Sequence, residues 1–210
     1  MKTLFDYDIT LEEADELIKN GANVNEQHHH DQCTPIFYVK NLKIIELFIK
    51  HGANVNAKDK NGFTPLFHIR DKYVDVAKLL IKHGADVNAR DNYKFSPIFY
   101  KSNIEIIELF INHGALLNIR DIYGLSPLDR IAEFEERTAS AKLLIAHGAI
   151  AGTRDGYQTY RDLFTVEQQK AFDAFASITS NDNDFYKMCL AYQESIKNNI
   201  KIEINDMEIL

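Results

Sequence analysis

Four stretches of the chain place apolar residues three and four positions apart, as one buried face of a helix requires. They are KIIELFIKHG from Lys43, VDVAKLLIKHG from Val74, IEIIELFINHG from Ile104 and TASAKLLIAHG from Thr138. Each ends on a glycine, the residue that stops a helix most cheaply by taking the left-handed conformation. Upstream of each lies a shorter apolar segment, PIFYVK, PLFHIR, PIFYKS or PLDRIA, preceded by Thr34, Thr64, Ser96 or Ser126. Proline tolerates the first helical position, and a Thr or Ser hydroxyl before it accepts an orphan backbone N–H. The pattern therefore predicts a short helix opened by Thr/Ser-Pro, a tight turn, a longer helix, and then a polar loop such as Asp59-Lys60-Asn61-Gly62-Phe63.

The unit recurs. The four prolines are spaced 30, 32 and 30 residues apart, and Gly-Ala pairs start at Gly21, Gly52, Gly84, Gly114 and Gly148. Such a period marks a repeat architecture, in which one unit cannot bury its own apolar face and stacked neighbours can. His51, His83, His113 and His147 precede four of these glycines. Imidazoles at helix C-termini are expected to interact with the helix dipole rather than to bind metal.

These units resemble ankyrin repeats, whose pattern reads D-x-x-G-x-T-P-L-H, a helical pair, then L-L-x-x-G-A-D-V-N. The segment DKNGFTPLFHIRDKYVDVAKLLIKHGADVN, Asp59 to Asn88, matches best. The resemblance runs from about Leu4 to Phe175 and implies an all-α solenoid of helix-turn-helix units with projecting hairpin loops and a C-terminal helical cap. The expected organisation is an N-terminal capping half-repeat (1–28), four full repeats (29–152), a degenerate capping repeat (153–180) and a helical tail (181–210). In the degenerate repeat, Thr159-Tyr160-Arg161-Asp162-Leu163 stands for T-P-L-H-L. There are departures. Phe37, Phe67, Phe99 and Asp129 replace the family's histidine, and Gln32 and Lys94 replace its loop glycine. Some units are short between the helices, so some first helices or turns should be clipped.

By resemblance, partners bind on the concave side and loop tips, and the fold itself names no target. The residues before Thr/Ser-Pro are Cys33, Phe63, Phe95 and Leu125, all apolar, and Tyr93 and Tyr123 lie two residues before the last two of them. Aromatic side chains with arginine nearby have the composition of binding hot spots. The candidate partner-binding residues are Phe63, Tyr93, Phe95, Tyr123, Arg90 and Arg120, edged by Lys60 and Ile122. A second column, Tyr38, His68, Tyr100 and Arg130, belongs either to the inner surface or to the core. The run His28-His29-His30-Asp31 holds metal-ligating side chains, but neighbours in a loop tip point apart and no further ligands are positioned by sequence.

Composition narrows the role. Of 210 residues, 45 % are hydrophobic and 26 % charged, which is globular. The net charge of −7 makes nucleic acid a poor partner. Residues from 153 onward contribute −4 of it. Two distant cysteines, Cys33 and Cys189, form no disulfide framework. The start, MKTLFDYDITLEEADEL, lacks a signal peptide's apolar core, and no stretch approaches a membrane span, so a cytoplasmic protein is expected. No phosphate loop, G-x-S-x-G, H-E-x-x-H or G-x-G-x-x-G occurs. The expectation is a non-enzymatic, cofactor-free protein-binding module. One version of it is an inhibitor or immunity-type protein that occludes a basic enzyme or toxin. The alternative is an effector or adaptor whose tail carries a separate function. In that tail, TVEQQKAFDAFASI reads as a helix capped by Thr165, with Val166, Phe172, Phe175 and Ile178 turned to the last repeat. DFYKMCLAYQESIKN reads as another helix, and IKIEINDMEIL alternates like a strand.

Overall fold

The computed structural model describes residues 2–132 and 138–197, which form α-helices and turns without β-strands. The chain divides into two compact units, Met1–Gly114 and Ala115–Leu210. The strand-like alternation after Asn199 lies outside the described residues.

The first unit stacks four helices: α1 (Leu11–Lys19), α2 (Leu42–Lys50), α3 (Val74–Lys82) and α4 (Ile104–Asn112). Their apolar stripes build the core, with Ile45 and Phe48 of α2, Ala77 and Leu80 of α3, and Ile106 and Phe110 of α4 all buried. Thr10 and Glu13 close a reciprocal capping box on α1. Asn41 and Asn103 cap α2 and α4, and the Asp71 carboxylate reaches across from the preceding repeat to accept the Ser102 and Asn103 N–H groups at 3.0 and 2.9 Å. Gly52 and Gly84 stop α2 and α3 at φ +84° and +87°.

The short first helices are clipped. Pro35–Phe37 and Pro97–Tyr100 are single 3-10 turns, and residues 65–68 form only a turn. The expected hydroxyl caps are absent there too. Thr34, Thr64 and Ser96 are buried, and their hydroxyls have no hydrogen-bond partner. Backbone bonds close these turns instead, as Phe37 N–H donates to Thr34 O. Beside each bare hydroxyl stands the phenylalanine that replaces the family's histidine, and it offers no acceptor or donor. Where Asp129 holds that position, the Ser126 hydroxyl donates to it at 2.7 Å, and a true helix follows.

Asparagine joins neighbouring turns. Asn25 Nδ2 donates to Gly52 O, and its Oδ1 accepts Asn54 N–H. Asn56 repeats this with Gly84 and Asp86, all at 2.8 Å, and Asn88 Nδ2 reaches Gly114 O at 2.9 Å.

The second unit holds α5 (Pro127–Ala132), α6 (Thr138–Ala146), α7 (Arg154–Tyr160), α8 (Val166–Ile178) and α9 (Asp182–Lys197). The asparagine device recurs, with Asn118 Nδ2 donating to Gly148 O and Oδ1 accepting Ile150 N–H, each at 2.9 Å. Buried Asp129 ties α5 to the start of α7. It accepts Ser126 N–H at 2.6 Å, Gly152 N–H at 2.7 Å and the Thr153 hydroxyl at 3.0 Å. Burial pushes its carboxyl pKa up, against the lowering effect of these bonds. Gly152 is required by space, since a Cβ there would lie 2.6 Å from Gly124 O.

The first helix of the last repeat opens before Thr159, the residue that stands for the family's helix-opening threonine. Thr153 is extended and its hydroxyl accepts Gly156 N–H, so the first helix opens there, and Thr159 lies in the final turn of α7. Thr165 and Gln168 form the expected capping box on α8. Of the four α8 residues expected to face inward, Phe172 and Phe175 are buried, but Val166 and Ile178 are exposed. They lie outside the arc covered by α9, which packs on α8 and buries Phe185, Tyr186, Met188 and Cys189.

Candidate protein-binding surface

Each loop tip is built around one aspartate. Asp59 N–H donates to Phe63 O at 2.9 Å, closing a five-residue loop, while Asp59 Oδ1 accepts the N–H groups of Asn61 and Phe63. Asp91 does the same for Tyr93 and Phe95, and Asp121 for Tyr123 and Leu125. The fourth loop residue must be left-handed. Gly62 and Gly124 supply that conformation freely, whereas Lys94 is forced to φ +63° and Gln32 to φ +60°. In the first loop the aspartate stands two places later, at Asp31, and its Oδ1 accepts only the Cys33 N–H.

The other carboxylate oxygen reaches the column Tyr38, His68, Tyr100 and Arg130. The Tyr38 hydroxyl donates to Asp31 at 2.7 Å and the Tyr100 hydroxyl to Asp91 at 3.3 Å. His68 Nε2 lies 3.3 Å from Asp59, and Arg130 Nη2 lies 3.2 Å from Asp121. The column is surface, with His68 and Tyr100 exposed and Tyr38 and Arg130 half-buried. Burial lowers the His68 pKa, and Lys40 and Lys101 add to that against the opposing Asp59 carboxylate. At neutral pH the imidazole is uncharged.

In the first unit, Tyr93 is 49 % exposed at its tip and Lys60 is exposed beside His30 O. Phe63 and Arg90 are half-buried. Phe95, 8 % exposed, packs its ring against Phe99 and Tyr100 at 5.2 and 5.5 Å and sits in the core rather than at the tip surface. Phe63 lies 5.1–5.7 Å from the rings of Phe67, His68 and Tyr100. These four side chains enclose a shallow hollow of about 90 Å³. The column could be named from the sequence but not placed, and the convergence of His68 and Tyr100 on Phe63 could not be seen, because Tyr100 belongs to the repeat after Phe63.

In the second unit, Ile122 and Tyr123 are exposed, the latter 65 %, with the Arg130 guanidinium 5.8 Å over the Tyr123 ring. Arg120 is held internally. Its Nε donates to Gly124 O at 2.6 Å, Nη1 donates to Asn183 Oδ1 at 3.2 Å, and the guanidinium lies 4.7 Å over Tyr186 of α9.

The family model for ankyrin repeats matches residues 8–91, in three copies. Over those residues the chain carries ankyrin repeats. Ankyrin repeats are general protein–protein interaction modules, and this chain carries their tips and first turns with aromatic side chains on the surface. No curated protein matches the sequence. No helix among the described residues is long and apolar enough to cross a membrane.

Among the described residues no group of three His, Cys, Asp or Glu side chains is arranged to hold a metal ion. The His28, His29 and His30 rings lie tilted against one another, 3.8–5.6 Å apart, and His28 Nδ1 lies 3.3 Å from Asp31 without forming a hydrogen bond.

Proposed function

We propose that this chain is a non-enzymatic binder that grips a protein partner with the tips and first turns of its repeats. In the first unit Tyr93, Tyr100 and Phe63 are the main anchors, and Ile122 and Tyr123 play the same part in the second. What carries the reading is Tyr100. It is 44 % exposed, yet its ring packs on Phe63, Phe67 and Phe95 and its hydroxyl is tied to Asp91. An exposed tyrosine already fixed in one rotamer loses little entropy on binding, which is what makes tyrosine an effective hot-spot residue. Occlusion of the partner's own working surface, as an inhibitor or immunity-type protein does, is the simplest activity for such a binder. The alternative, a separate function in the tail, is weakened by the burial of α9 residues against α8.

The test is affinity co-purification of the full chain from its native cells, alongside Tyr93→Ala/Tyr100→Ala and Ile122→Ala/Tyr123→Ala. A stoichiometric protein partner lost at least tenfold with the first pair, with circular dichroism unchanged, is expected. Retention of that partner by both double variants would overturn the reading.

A further inference from the structure

The net charge of −7 conceals a local reversal. The loops and first turns at residues 57–73 and 89–103, which supply the four residues of the Phe63–Phe67–His68–Tyr100 hollow, carry seven basic residues against three acidic ones. Six of the basic residues reach the surface: Lys58, Lys60, Arg70, Lys72 and Lys94 are exposed, and Arg90 is half-buried. None of the three acids is exposed, two being buried and Asp71 half-buried. Asp59 and Asp91 are buried in the tips and receive the backbone and column bonds described above, while Asp71 is bonded to Ser102 and Asn103. The outward charge of this stretch is therefore almost wholly positive. The flanking stretches expose fewer basic residues. Residues 25–41 carry only Lys40 against Glu26 and Asp31, and residues 119–132 bury Asp121 and Asp129 but leave Arg120 and Arg130 only half-exposed.

The hollow, lined by residues of this same stretch, is bounded mainly by ring carbon. At about 90 Å³ it has room for a single aliphatic side chain. Charge around an apolar hollow sets which partners approach, and the hollow sets the register in which they dock.

From this we infer that the first unit's tip surface binds an acidic protein segment that seats one aliphatic side chain in the Phe63–Phe67–His68–Tyr100 hollow. The inference rests on the protein-binding reading above and adds the partner's chemistry. Its sense is opposite to what the whole-chain charge implies: the surface that would make contact selects an acidic partner, not a basic one. Asp59 and Asp91 are buried in building the tips, and Asp71 is occupied at the start of α4. Lys60 and Lys94 flank the anchors Phe63 and Tyr93 in sequence, so charge and apolar contact come from the same loops.

A displayed library of random twelve-residue peptides, selected against the full chain, tests this. The enriched peptides are then measured at 50 and 300 mM salt against wild type, Tyr100→Ala and Lys60→Glu/Lys94→Glu. The second variant changes only exposed side chains and guards against a folding defect in the first. The expected result is enrichment of peptides with net negative charge and one Leu, Ile, Val or Met. Their affinity should fall at least fivefold in each variant and at least fivefold in high salt. Neutral or basic consensus sequences, affinity indifferent to Lys60→Glu/Lys94→Glu, or no enrichment would overturn it. A twenty-nucleotide single-stranded RNA that binds more tightly than the best peptide and displaces it would also overturn it, in favour of a nucleic-acid surface. If the co-purified partner is lost with Tyr93→Ala/Tyr100→Ala but kept by Lys60→Glu/Lys94→Glu, protein binding stands and the acidic-partner inference falls.

Discussion

A lysine ammonium is costly to remove from water, yet Lys101 is buried, donating to Phe67 O at 2.9 Å and Ile69 O at 2.6 Å. Those carbonyls belong to the clipped first turn of the preceding repeat, which has too few residues to bond them internally. The lysine supplies the donors that a full helix would have provided, and Lys40 does the same for Phe37 O within its own turn. Burial lowers the Lys101 pKa to about 8, against the raising effect of Asp71. Between about pH 8 and the ordinary lysine value near 10.5, the unfolded chain binds more protons than the folded one, so stability attributable to this residue rises with pH. Denaturant unfolding of wild type and Lys101→Met across pH 7.5–10 should show the difference moving in favour of wild type by about 2 kcal/mol. A constant difference would mean that the lysine does not titrate there. Lys94 offers a simpler case. Its left-handed conformation costs roughly 1–2 kcal/mol that glycine avoids, partly offset by glycine's greater freedom when unfolded. Lys94→Gly should stabilise the chain by about 0.5–1 kcal/mol in the same assay. The strain at Lys94 and Gln32 could be anticipated from the sequence, because a known glycine position is refilled. The buried ammonium could not, because nothing in PIFYKS distinguishes a lysine bonded across a repeat from one in solvent.

Among the elements, the long helices were the most legible, since their apolar stripes span whole turns and their glycines mark the ends. The first helices were not. Thr/Ser-Pro signals a helix start, but whether a helix or a single 3-10 turn follows depends on the third residue after Thr or Ser. Asp129 bonds Ser126 and a helix forms, while Phe37, Phe67 and Phe99 offer no such bond. The α8–α9 pair shows a related limit. Facing residues could be listed for each helix, but only the pairing decides that Val166 and Ile178 stay in solvent. The pairing also says what α9 is for. It buries Phe185, Tyr186, Met188 and Cys189, with Tyr186 reaching Asn118 and Arg120, at roughly 1.5–3 kcal/mol for each large apolar side chain. That sum is comparable with the whole stability of an ordinary domain. A chain ending at Ser180 should therefore lose the cooperative unfolding of the second unit and expose Phe172 and Phe175. Dye binding to exposed apolar surface and a thermal melt would register this. An unchanged melting temperature would show that α9 is an appendage.

Across the whole molecule, repeat period and fold were readable because the markers recur at fixed spacing, and the candidate site was readable only in part. Tyr93 and Tyr123 stand exposed as their loop positions implied. Phe95 is buried by its ring neighbours, and Arg120, half-buried, is engaged by its own loop and by α9, whose position no local pattern could supply. Each unit also carries its own chemical reporter. Cys33 and Cys189 are both buried, and burial raises both thiol pKa values, Cys33 to about 12. Neither should react with iodoacetamide in the native state faster than its unit opens. Gly152→Ala forces a Cβ against Gly124 O and should cost about 2–3 kcal/mol. Mass-spectrometric mapping after a labelling pulse should then show Cys189 alkylated at least tenfold faster than in wild type. An unaltered rate would mean that the backbone yields there at little cost.

The asparagine bridges act as a ruler laid along the turns rather than along the helices. Asn25, Asn56, Asn88 and Asn118 each measure from one repeat to the next through the glycine carbonyl, so repeat spacing is set by residues outside the first turns. Residues can then be deleted or exchanged between Thr/Ser-Pro and the second helix without losing the pitch. This chain has used that latitude, with first turns of three or four residues, phenylalanine where a polar partner was expected, and a lysine stitched between neighbours. The segment freest to drift is the one that carries the exposed tyrosine, so a lineage can change what it recognises while leaving its frame alone.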